Sequence, residues 1–405
     1  MKPRVTLGAT VATTLLALTL PAAASPEPSD WQAVLDEAEG QTVYWNAWGG
    51  DTRTNRYIAW VADEMRRRFE VEVRHVKLDD TGSAVSRVLA EKQAGNDDEG
   101  SVDLIWINGE NFAAMRERDL LFGPFADALP NFALTYPEDN PEVVTDFTLP
   151  TEGYESPWGK AQITFYYDSA YTQDPPRSID ALLGWAEENP GEFTYPRIPD
   201  FTGSTFLKQA LIELTDKDDA LYQPVSESDF DAVTAPLWAY LDELHPHLWR
   251  SGRSFPDSGP ALRTLMSDGE LSLAFSFYPS EAAVAVREYQ LPESVRSYVF
   301  EGGTLGNVHF VAIPYNSPHK AGAMTLANFL LTPEAQAQKQ SLKMWGDRTV
   351  LDVNRLDEKA QARFAQGDTH PAELPADALS QTLPEPHPSW MTALQNAWRE
   401  RYGTR

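Results

Sequence analysis

A short apolar run that ends in a glycine pair and an acid constrains the fold of this chain most. Residues 43–45 (Val-Tyr-Trp) favour a β-strand, and the run closes with Gly-Gly-Asp at 49–51. Apolar residues then recur at helical spacing across 56–69. A strand, a glycine turn and a helix form the opening unit of an open α/β sheet. Such sheets bind ligands just beyond the carboxyl ends of their strands.

The alternation of strands and helices continues through the first third of the chain. The sequence predicts strands at 42–46, 71–76 and 102–107 and helices at 55–69, 84–92 and 111–118. Strands separated by single helices imply a parallel sheet with right-handed crossovers. An aromatic run at 158–168 alternates with a period of two, and a strand of that length can connect two lobes. Beyond it, further strand and helix patterns predict a second α/β lobe.

The N-terminal residues have the pattern of a secretory signal peptide. Lys2 and Arg4 precede an apolar stretch at 11–20 and a small-residue cleavage site that ends at Ala24. No later stretch is long and apolar enough to span a bilayer, so we expect a soluble periplasmic protein after cleavage of residues 1–24. The chain contains no cysteine, which excludes disulfides, a thiol nucleophile and a lipid-anchored cysteine.

The chain is strongly acidic. It has 60 Asp and Glu residues against 33 Lys and Arg residues, which gives a formal net charge of −27. A surface with this charge repels nucleic acid and anionic lipid at long range. We therefore expect no nucleic-acid partner.

The sequence carries no recognisable signature of an enzyme or a metal site. It has no G-x-S-x-G, P-loop, H-E-x-x-H or G-x-G-x-x-G motif. With so many acids, carboxylate pairs at helical spacing arise by chance, so a paired-acid glycosidase has no specific support. His245 and His247 lie close together, but no third metal ligand is evident beside them. We expect no enzymatic activity, no cofactor and no bound metal.

Four polar turns at strand ends or helix starts are the candidate ligand contacts. They lie at 46–51, 80–83, 108–111 and 202–204. Helix N-termini offer free backbone N–H groups, which suit carboxylate or phosphate groups of a ligand. The alternative is that Ser83 and Ser204 only cap their helices. Tryptophans near these turns favour ligand contact, because capping does not require an indole.

Four segments, taken in order, carry a resemblance to a known family. They are 43–48, 102–106 with the polar turn after it, 157–168 and 328–336. Across 42–339 the chain resembles the family 1 extracellular solute-binding proteins of ABC importers, the type II periplasmic binding proteins, and most of all their YnjB branch. The resemblance implies a two-lobed α/β fold in which each lobe is a mainly parallel sheet flanked by helices. It also implies a hinge on which the lobes close around a solute.

The turns and the resemblance together define the expected lobes and ligand-binding residues. Lobe 1 is expected to comprise residues 41–157 and 304–332, and lobe 2 residues 158–303 and 333–405. The ligand-binding residues expected are Asn46, Trp48, Asp51, Thr81, Gly82, Ser83, Asn108, Glu110, Trp158, Gly203, Ser204, Tyr278 and Asn307. Trp45 lies within the first strand and is expected to be structural.

These residues imply roles and a class of solute. Trp48 and Trp158 are expected to stack on a planar or cationic part of the solute. Asp51 and Glu110 would pair with its positive groups, and the amides at 203–204 would bind an anionic end. The second-lobe turns lack the clear set of spaced acids found in polyamine-binding members of the family. A small zwitterionic or heteroaromatic solute is therefore expected rather than a polycation.

The predicted function is that of the periplasmic solute-binding component of an ABC importer. The protein would capture a small polar solute, whether heteroaromatic, cationic or zwitterionic, by lobe closure and hand it to an inner-membrane permease. We expect it to work as a monomer. Two alternatives stay open: a secreted enzyme, such as a hydrolase acting on a polar substrate, and a surface or scaffold protein that binds no solute.

Overall fold

The computed structural model describes residues 26–365, 369–375 and 377–403. The predicted signal peptide at 1–24 lies outside the described residues. Within those ranges, no helix combines the length and the apolar character that a membrane span requires.

Helices and strands alternate from residue 31 to residue 117, as the sequence predicts, and runs of consecutive strands and consecutive helices follow. The helices are α1 (Trp31–Ala38), α2 (Thr52–Phe69), α3 (Gly82–Gln93), α4 (Gly109–Glu117), α5 (Ile179–Glu188), α6 (Phe201–Leu214), α7 (Phe230–Leu244), α8 (Gly259–Ser267), α9 (Glu281–Arg287), α10 (Lys320–Leu330), α11 (Pro333–Gln340), α12 (Glu358–Ala365) and α13 (Pro388–Tyr402). The strands are β1 (Thr42–Trp48), β2 (Glu72–Leu78), β3 (Leu104–Ile107), β4 (Thr145–Asp146), β5 (Leu149–Pro150), β6 (Glu155–Gln162), β7 (Thr164–Asp168), β8 (Leu273–Ser276), β9 (Val295–Tyr298), β10 (Thr304–Ala312) and β11 (Thr382–Leu383).

The larger sheet places β1 between β2 and β3, and both pairings are parallel. Trp45 of β1 is in register with His75 on one side and with Leu104 on the other. β10 runs antiparallel to both β3 and β6, and β11 pairs with β10. The predicted α/β architecture is confirmed, and the carboxyl ends of β1, β2 and β3 lie at one edge of this sheet.

The smaller sheet consists of β7 flanked by β8 and β9, both antiparallel to it. This differs from the mainly parallel sheet expected in the second lobe. The apolar alternation at 271–277 predicts a strand, but such a pattern carries no information about the direction of the strand. β8 and β9 run in the same direction and are joined through α9. They do not pair with each other, so neither strand pairing in this sheet is parallel.

Two separate hydrophobic clusters define the two lobes. The first contains Trp45, Trp158 and Trp345, and the second contains Phe165 among many other side chains. The rings of Trp158 and Trp45 meet edge-on with their centroids 5.4 Å apart. Such an aromatic pair contributes about 0.5–1.5 kcal/mol beyond the burial of its area. The chain crosses from the first cluster to the second within β6, between Trp158 and Ala161.

The C-terminal part of the chain divides between the two clusters. Ala335, Trp345 and Leu356 pack in the first cluster, whereas Trp390 and Trp398 pack in the second. The sequence analysis grouped all residues from 333 onward with the second lobe. The packing of Ala335, Trp345 and Leu356 instead joins α11 and most of the segment that follows it to the side chains around β1, although Leu342 packs in the second cluster.

Candidate functional site

A cavity of about 500 Å³ lies between the elements of the two lobes. The first lobe lines it with the turns that follow β1, β2 and β3. The second lobe lines it with the starts of α6, α8 and α9 and the end of β8. The cavity therefore lies beyond the carboxyl ends of parallel strands, where open α/β sheets bind ligands, and its volume suits a small molecule.

The structure brings seven of the thirteen candidate residues together in the wall of this cavity: Trp48, Asp51, Thr81, Asn108, Glu110, Tyr278 and Asn307. The remaining six do not form part of that wall: Asn46, Gly82, Ser83, Trp158, Gly203 and Ser204.

One short turn places both Trp48 and Asp51 at the cavity. Trp48 is half-buried at the end of β1, and a Cβ added at Gly50 would lie 2.6 Å from its Cζ2 atom. The turn therefore needs glycine at this position so that the indole can pack over it. Asp51 Oδ1 accepts the backbone N–H of Arg53 at 2.7 Å and so caps α2. Trp45 is fully buried in the same strand.

Trp158 and Asn46 are buried beside the cavity. Trp158 has no exposed surface, and its ring packs edge-on against Trp106 with centroids 4.8 Å apart. Asn46 is also buried, and its Nδ2 donates to the carbonyl of Tyr44 at 3.3 Å. The stacking role expected for Trp158 is corrected, because its side chain belongs to the first hydrophobic cluster. Trp106, which the sequence analysis did not select, lines the cavity instead.

The amides at the start of α6 already have partners. Asp200 Oδ1 accepts the N–H groups of Thr202 at 2.9 Å and of Gly203 at 3.2 Å. The hydroxyl of Ser204 accepts a hydrogen bond from Gln395 Nε2 at 3.0 Å. The N–H of Ser204 donates to the carbonyl of Asp200 at 2.9 Å. An anionic end of a solute would therefore find neither the Gly203 nor the Ser204 amide free, which corrects the role expected for this turn.

The start of α3 repeats the same arrangement. Asp80 Oδ1 accepts the N–H of Gly82 at 2.6 Å, and Ser83 Oγ donates to the carbonyl of Asp80 at 2.8 Å. Gly82 and Ser83 therefore serve the local turn. Neither Ser83 nor Ser204 caps its helix, as the alternative interpretation expected, because the N-cap residues of α3 and α6 are Thr81 and Asp200. Asp80 and Thr81 are the residues of this turn that line the cavity.

Acidic side chains dominate the cavity wall, and sequence analysis missed most of them. The carboxylates are Asp51, Asp79, Asp80, Glu110, Asp200, Asp257 and Glu281, against two arginines, Arg197 and Arg263. Three of these acids come from the second lobe, so the expectation that its turns lack spaced acids is wrong. The missed signal is an acid directly before a helix start: Asp200 precedes α6, and Asp257 precedes the Ser-Gly-Pro that opens α8.

Four charged side chains form a group that we call the four-charge cluster: Asp51, Arg263 and Glu281, which line the cavity, and Arg53, which is buried beside them. Arg53 Nη2 lies 2.9 Å from Asp51 Oδ2 and 2.8 Å from Glu281 Oε2. Arg263 Nη1 lies 2.6 Å from Glu281 Oε1 and 3.2 Å from Asp51 Oδ2. Burial by itself would raise the pKa of Asp51, but the hydrogen bonds and charge of Arg53 lower it to about 2. The cluster is therefore ionised and has no net charge.

A second group of charges surrounds Glu110. Lys208 Nζ lies 2.5 Å from Glu385 Oε2, and both side chains are buried. Asn307 Nδ2 donates to Glu385 Oε1 at 2.9 Å. Burial raises the pKa of Glu110 to about 7, although the charge of Lys208 opposes this change. Burial also raises the pKa of Asp200 to about 6. Glu110 therefore changes its charge near neutral pH.

The polar groups of the wall are not arranged as a metal site. In the part of the chain that the structure describes, no three or more His, Cys, Asp or Glu side chains are placed to hold a metal ion. His309 lies in the wall, and its Nε2 is 3.0 Å from Oδ2 of Asp347, a buried acid that does not line the cavity. The wall thus combines single carboxylates with aromatic rings, an arrangement that suits an organic solute.

Comparison with known proteins gives consistent results. The model of the bacterial extracellular solute-binding protein family matches residues 59–365. The chain is 46% identical to Protein YnjB of Escherichia coli (strain K12) over 376 aligned residues. The alignment covers 93% of this chain and 95% of that relative.

Two solved structures share the fold at low sequence identity. A putative spermidine/putrescine ABC transporter from Listeria monocytogenes has a TM-score of 0.64 and 14% identity, covering 89% of this chain and 98% of that one. The second structure is the periplasmic binding protein AfuA from Actinobacillus pleuropneumoniae, solved with exogenous fructose-6-phosphate bound. It has a TM-score of 0.63 and 13% identity, and the match covers 90% of this chain and 99% of that one. At such identities the likeness concerns the fold alone.

Proposed function

Since the chain belongs to the bacterial extracellular solute-binding proteins of ABC importers, we propose that it captures a small organic cation in the cavity between its lobes. The resemblance found in the sequence is thereby confirmed at the level of the family, whose members bind solutes for transport. The ligand-binding residues we propose are the seven candidates in the cavity wall together with the acids and aromatic rings beside them.

The charge of the cavity wall is the observation that carries this proposal. Seven carboxylates face two arginines, and both arginines already have acidic partners. Arg197 Nη2 lies 2.9 Å from Asp257 Oδ1, and Arg263 belongs to the four-charge cluster. Asp79, Asp80, Glu110 and Asp200 remain in the wall without an arginine. A cleft lined by one sign of charge concentrates ligands of the opposite sign.

Aromatic side chains favour an organic cation over a bare ion. Trp48, Trp106, Phe201, Phe277 and Tyr278 line the same cavity. Indole and phenyl faces attract ammonium and other nitrogen cations, and they also stack on planar rings. The wall therefore suits an amine or a nitrogen heterocycle that brings apolar surface with its charge.

Capture by lobe closure follows from the placement of the cavity between two separately packed lobes. We assign residues 41–157 and 304–365 to lobe 1, because Ala335, Trp345 and Leu356 pack with the first cluster. Lobe 2 then comprises residues 158–303 and the residues after 365 that the structure describes. Membership of an extracellular family implies a location outside the cytoplasm. We propose release into the periplasm by cleavage behind Ala24, action as a monomer without a cofactor, and delivery of the solute to an inner-membrane ABC permease.

Recovery of the natural solute tests the proposal. The protein is purified from the periplasm without denaturation, any bound small molecule is released, and the molecule is identified by mass. The expected result is a compound with a nitrogen that is positively charged at pH 7. A neutral sugar or an anion without such a nitrogen would contradict the proposal. Turnover of the recovered compound by the purified protein would instead favour the secreted-enzyme alternative.

A further inference from the structure

The guanidinium of Arg263 lines the cavity and has donors that make no hydrogen bond to any residue that the structure describes. Its Nη1 donates to Glu281 Oε1 at 2.6 Å and to Asp51 Oδ2 at 3.2 Å. Its Nε and Nη2 atoms make no hydrogen bond to any residue that the structure describes. The side chain is 14% exposed, and it lines the cavity.

The unpartnered donors of this guanidinium are accessible from the cavity, because neither atom is among the buried polar atoms that lack a partner. Arginine carries five N–H donors in one planar fork, so two of its nitrogens can bind one acceptor group. The Nε and Nη2 edge presents two parallel N–H directions, which match the two oxygens of a carboxylate. The exposed part of Arg263 therefore has the geometry of an oxyanion site inside a wall that is otherwise acidic.

The four-charge cluster fixes the orientation of this edge. Asp51 from the first lobe and Glu281 from the second lobe both bind Nη1 of Arg263, so the plane of the guanidinium is held at the lobe boundary. Arg53 supplies the second positive charge, and two arginines balance two carboxylates. An incoming carboxylate therefore meets oriented donors rather than an excess of negative charge at this point.

The unpaired acids belong to other turns of the wall. Asp79 and Asp80 follow β2, and Asp200 precedes α6. Glu110 lies at the start of α4, where the charges that act on it are those of Lys208, Glu385 and Asp80. The wall thus offers carboxylates without arginine partners at these turns and free guanidinium donors at Arg263.

We infer that Arg263 is a specificity-determining residue that binds a carboxylate of the solute, so that the solute is an amino carboxylate rather than a simple amine. This inference rests on the proposed function, because it adds an anionic group to the organic cation proposed there. The cationic nitrogen lies at the acidic turns, and the carboxylate lies against Nε and Nη2 of Arg263.

Calorimetric titration of the ligand-stripped protein at pH 7 tests the inference with matched compounds. The probes are α- and ω-amino carboxylates of two to six carbons and betaines, each compared with its carboxamide and with the amine that lacks the carboxylate. The wild-type protein is expected to bind at least one amino carboxylate about tenfold or more tighter than its carboxamide, as for loss of a charged hydrogen bond. Arg263→Gln is expected to abolish this preference, and Arg263→Lys to reduce it, since lysine keeps the charge but loses the fork.

Arg56→Gln is the matched control. Arg56 also joins the lobes, through a contact of 3.1 Å with Glu288, but it does not line the cavity. A purely structural role of Arg263 in lobe closure would weaken carboxylates, carboxamides and amines alike, whereas carboxylate recognition removes only the preference. The inference is overturned if amines or carboxamides bind as tightly as the amino carboxylates, or if the preference survives Arg263→Gln. That outcome leaves the proposed function intact, whereas a natural solute recovered without a positively charged nitrogen overturns both.

Discussion

Arg53 of α2 and Glu281 of α9 are 228 residues apart in the sequence, yet Arg53 Nη2 lies 2.8 Å from both carboxylate oxygens of Glu281. The two side chains are only 4% and 7% exposed. α2 packs in the first hydrophobic cluster and α9 in the second, so this buried ion pair connects the two lobes. Charged side chains therefore link the two lobes directly beside the cavity.

Neutralising Glu281 should weaken lobe closure. Glu281→Gln leaves Arg53 and Arg263 with one carboxylate between them, and breaking a buried ion pair from one side costs about 3–5 kcal/mol. Small-angle scattering of the solute-free variant is expected to show a larger radius of gyration than the wild type. Arg56→Gln is the control, because its partly exposed pair with Glu288 is worth only about 0–1 kcal/mol. Identical scattering from Glu281→Gln and wild type would show that the cluster does not hold the lobes together.

Trp48 and Trp158 should respond oppositely to truncation. Trp48→Ala removes an aromatic face from the cavity wall and is expected to weaken solute binding by about 1–3 kcal/mol with little loss of stability. Trp158→Ala leaves a hole in the first hydrophobic cluster and is expected to cost about 3–5 kcal/mol of unfolding free energy. Calorimetry and urea denaturation of both variants measure the two effects. A large stability loss with unchanged affinity in Trp48→Ala would assign Trp48 to the core.

Binding of a cationic solute should strengthen as the pH rises through about 7. Burial raises the pKa of Glu110 from 4.5 to about 7, so the folded protein without solute favours the neutral carboxyl. The contribution of Glu110 to stability is therefore fully present below pH 4.5 and is lost as the pH rises through 7. A bound cation favours the ionised carboxylate, so its binding releases a proton in this range.

Titrations between pH 7 and 8.5 in buffers of different ionisation enthalpy measure that proton release, in a range where Asp200, with its pKa of about 6, is already mostly ionised. Glu110→Gln is expected to remove the pH dependence of affinity and to raise the melting temperature at pH 8. The exposed Glu72 provides the control variant Glu72→Gln, which should leave the profile unchanged. A pH-dependent affinity that persists in Glu110→Gln would exclude Glu110 as its source.

The buried pair of Lys208 and Glu385 should show strong coupling between its two members. Lys208→Met leaves the Glu385 carboxylate buried without its cation, which is expected to cost about 3–5 kcal/mol. The double variant Lys208→Met/Glu385→Gln removes the charge as well, and the amide can keep the hydrogen bond from Asn307. Urea denaturation of the two single variants and the double variant gives the coupling energy. Equal stability losses in the single Lys208 variant and the double variant would argue against this account.

The first lobe was largely predictable, because its site follows directly from local patterns. The glycine turn after β1 separates Trp45 in the core from Trp48 at the cavity, and the polar turns after β2 and β3 reach the same edge through the parallel sheet. The contribution of the second lobe depends instead on tertiary packing. Asp200 and Glu281 line the cavity only because α6 and α9 pack around an antiparallel sheet whose strand directions leave no trace in apolar alternation.

A crystal structure of the complex with the solute recovered from the native protein tests the central claim most directly. The account predicts solute density in the cavity beside Trp48, with a cationic nitrogen within hydrogen-bonding distance of a carboxylate of Asp79, Asp80 or Glu110. Solute density outside this cavity, or a solute inside it whose nitrogen contacts none of these carboxylates, would contradict the account.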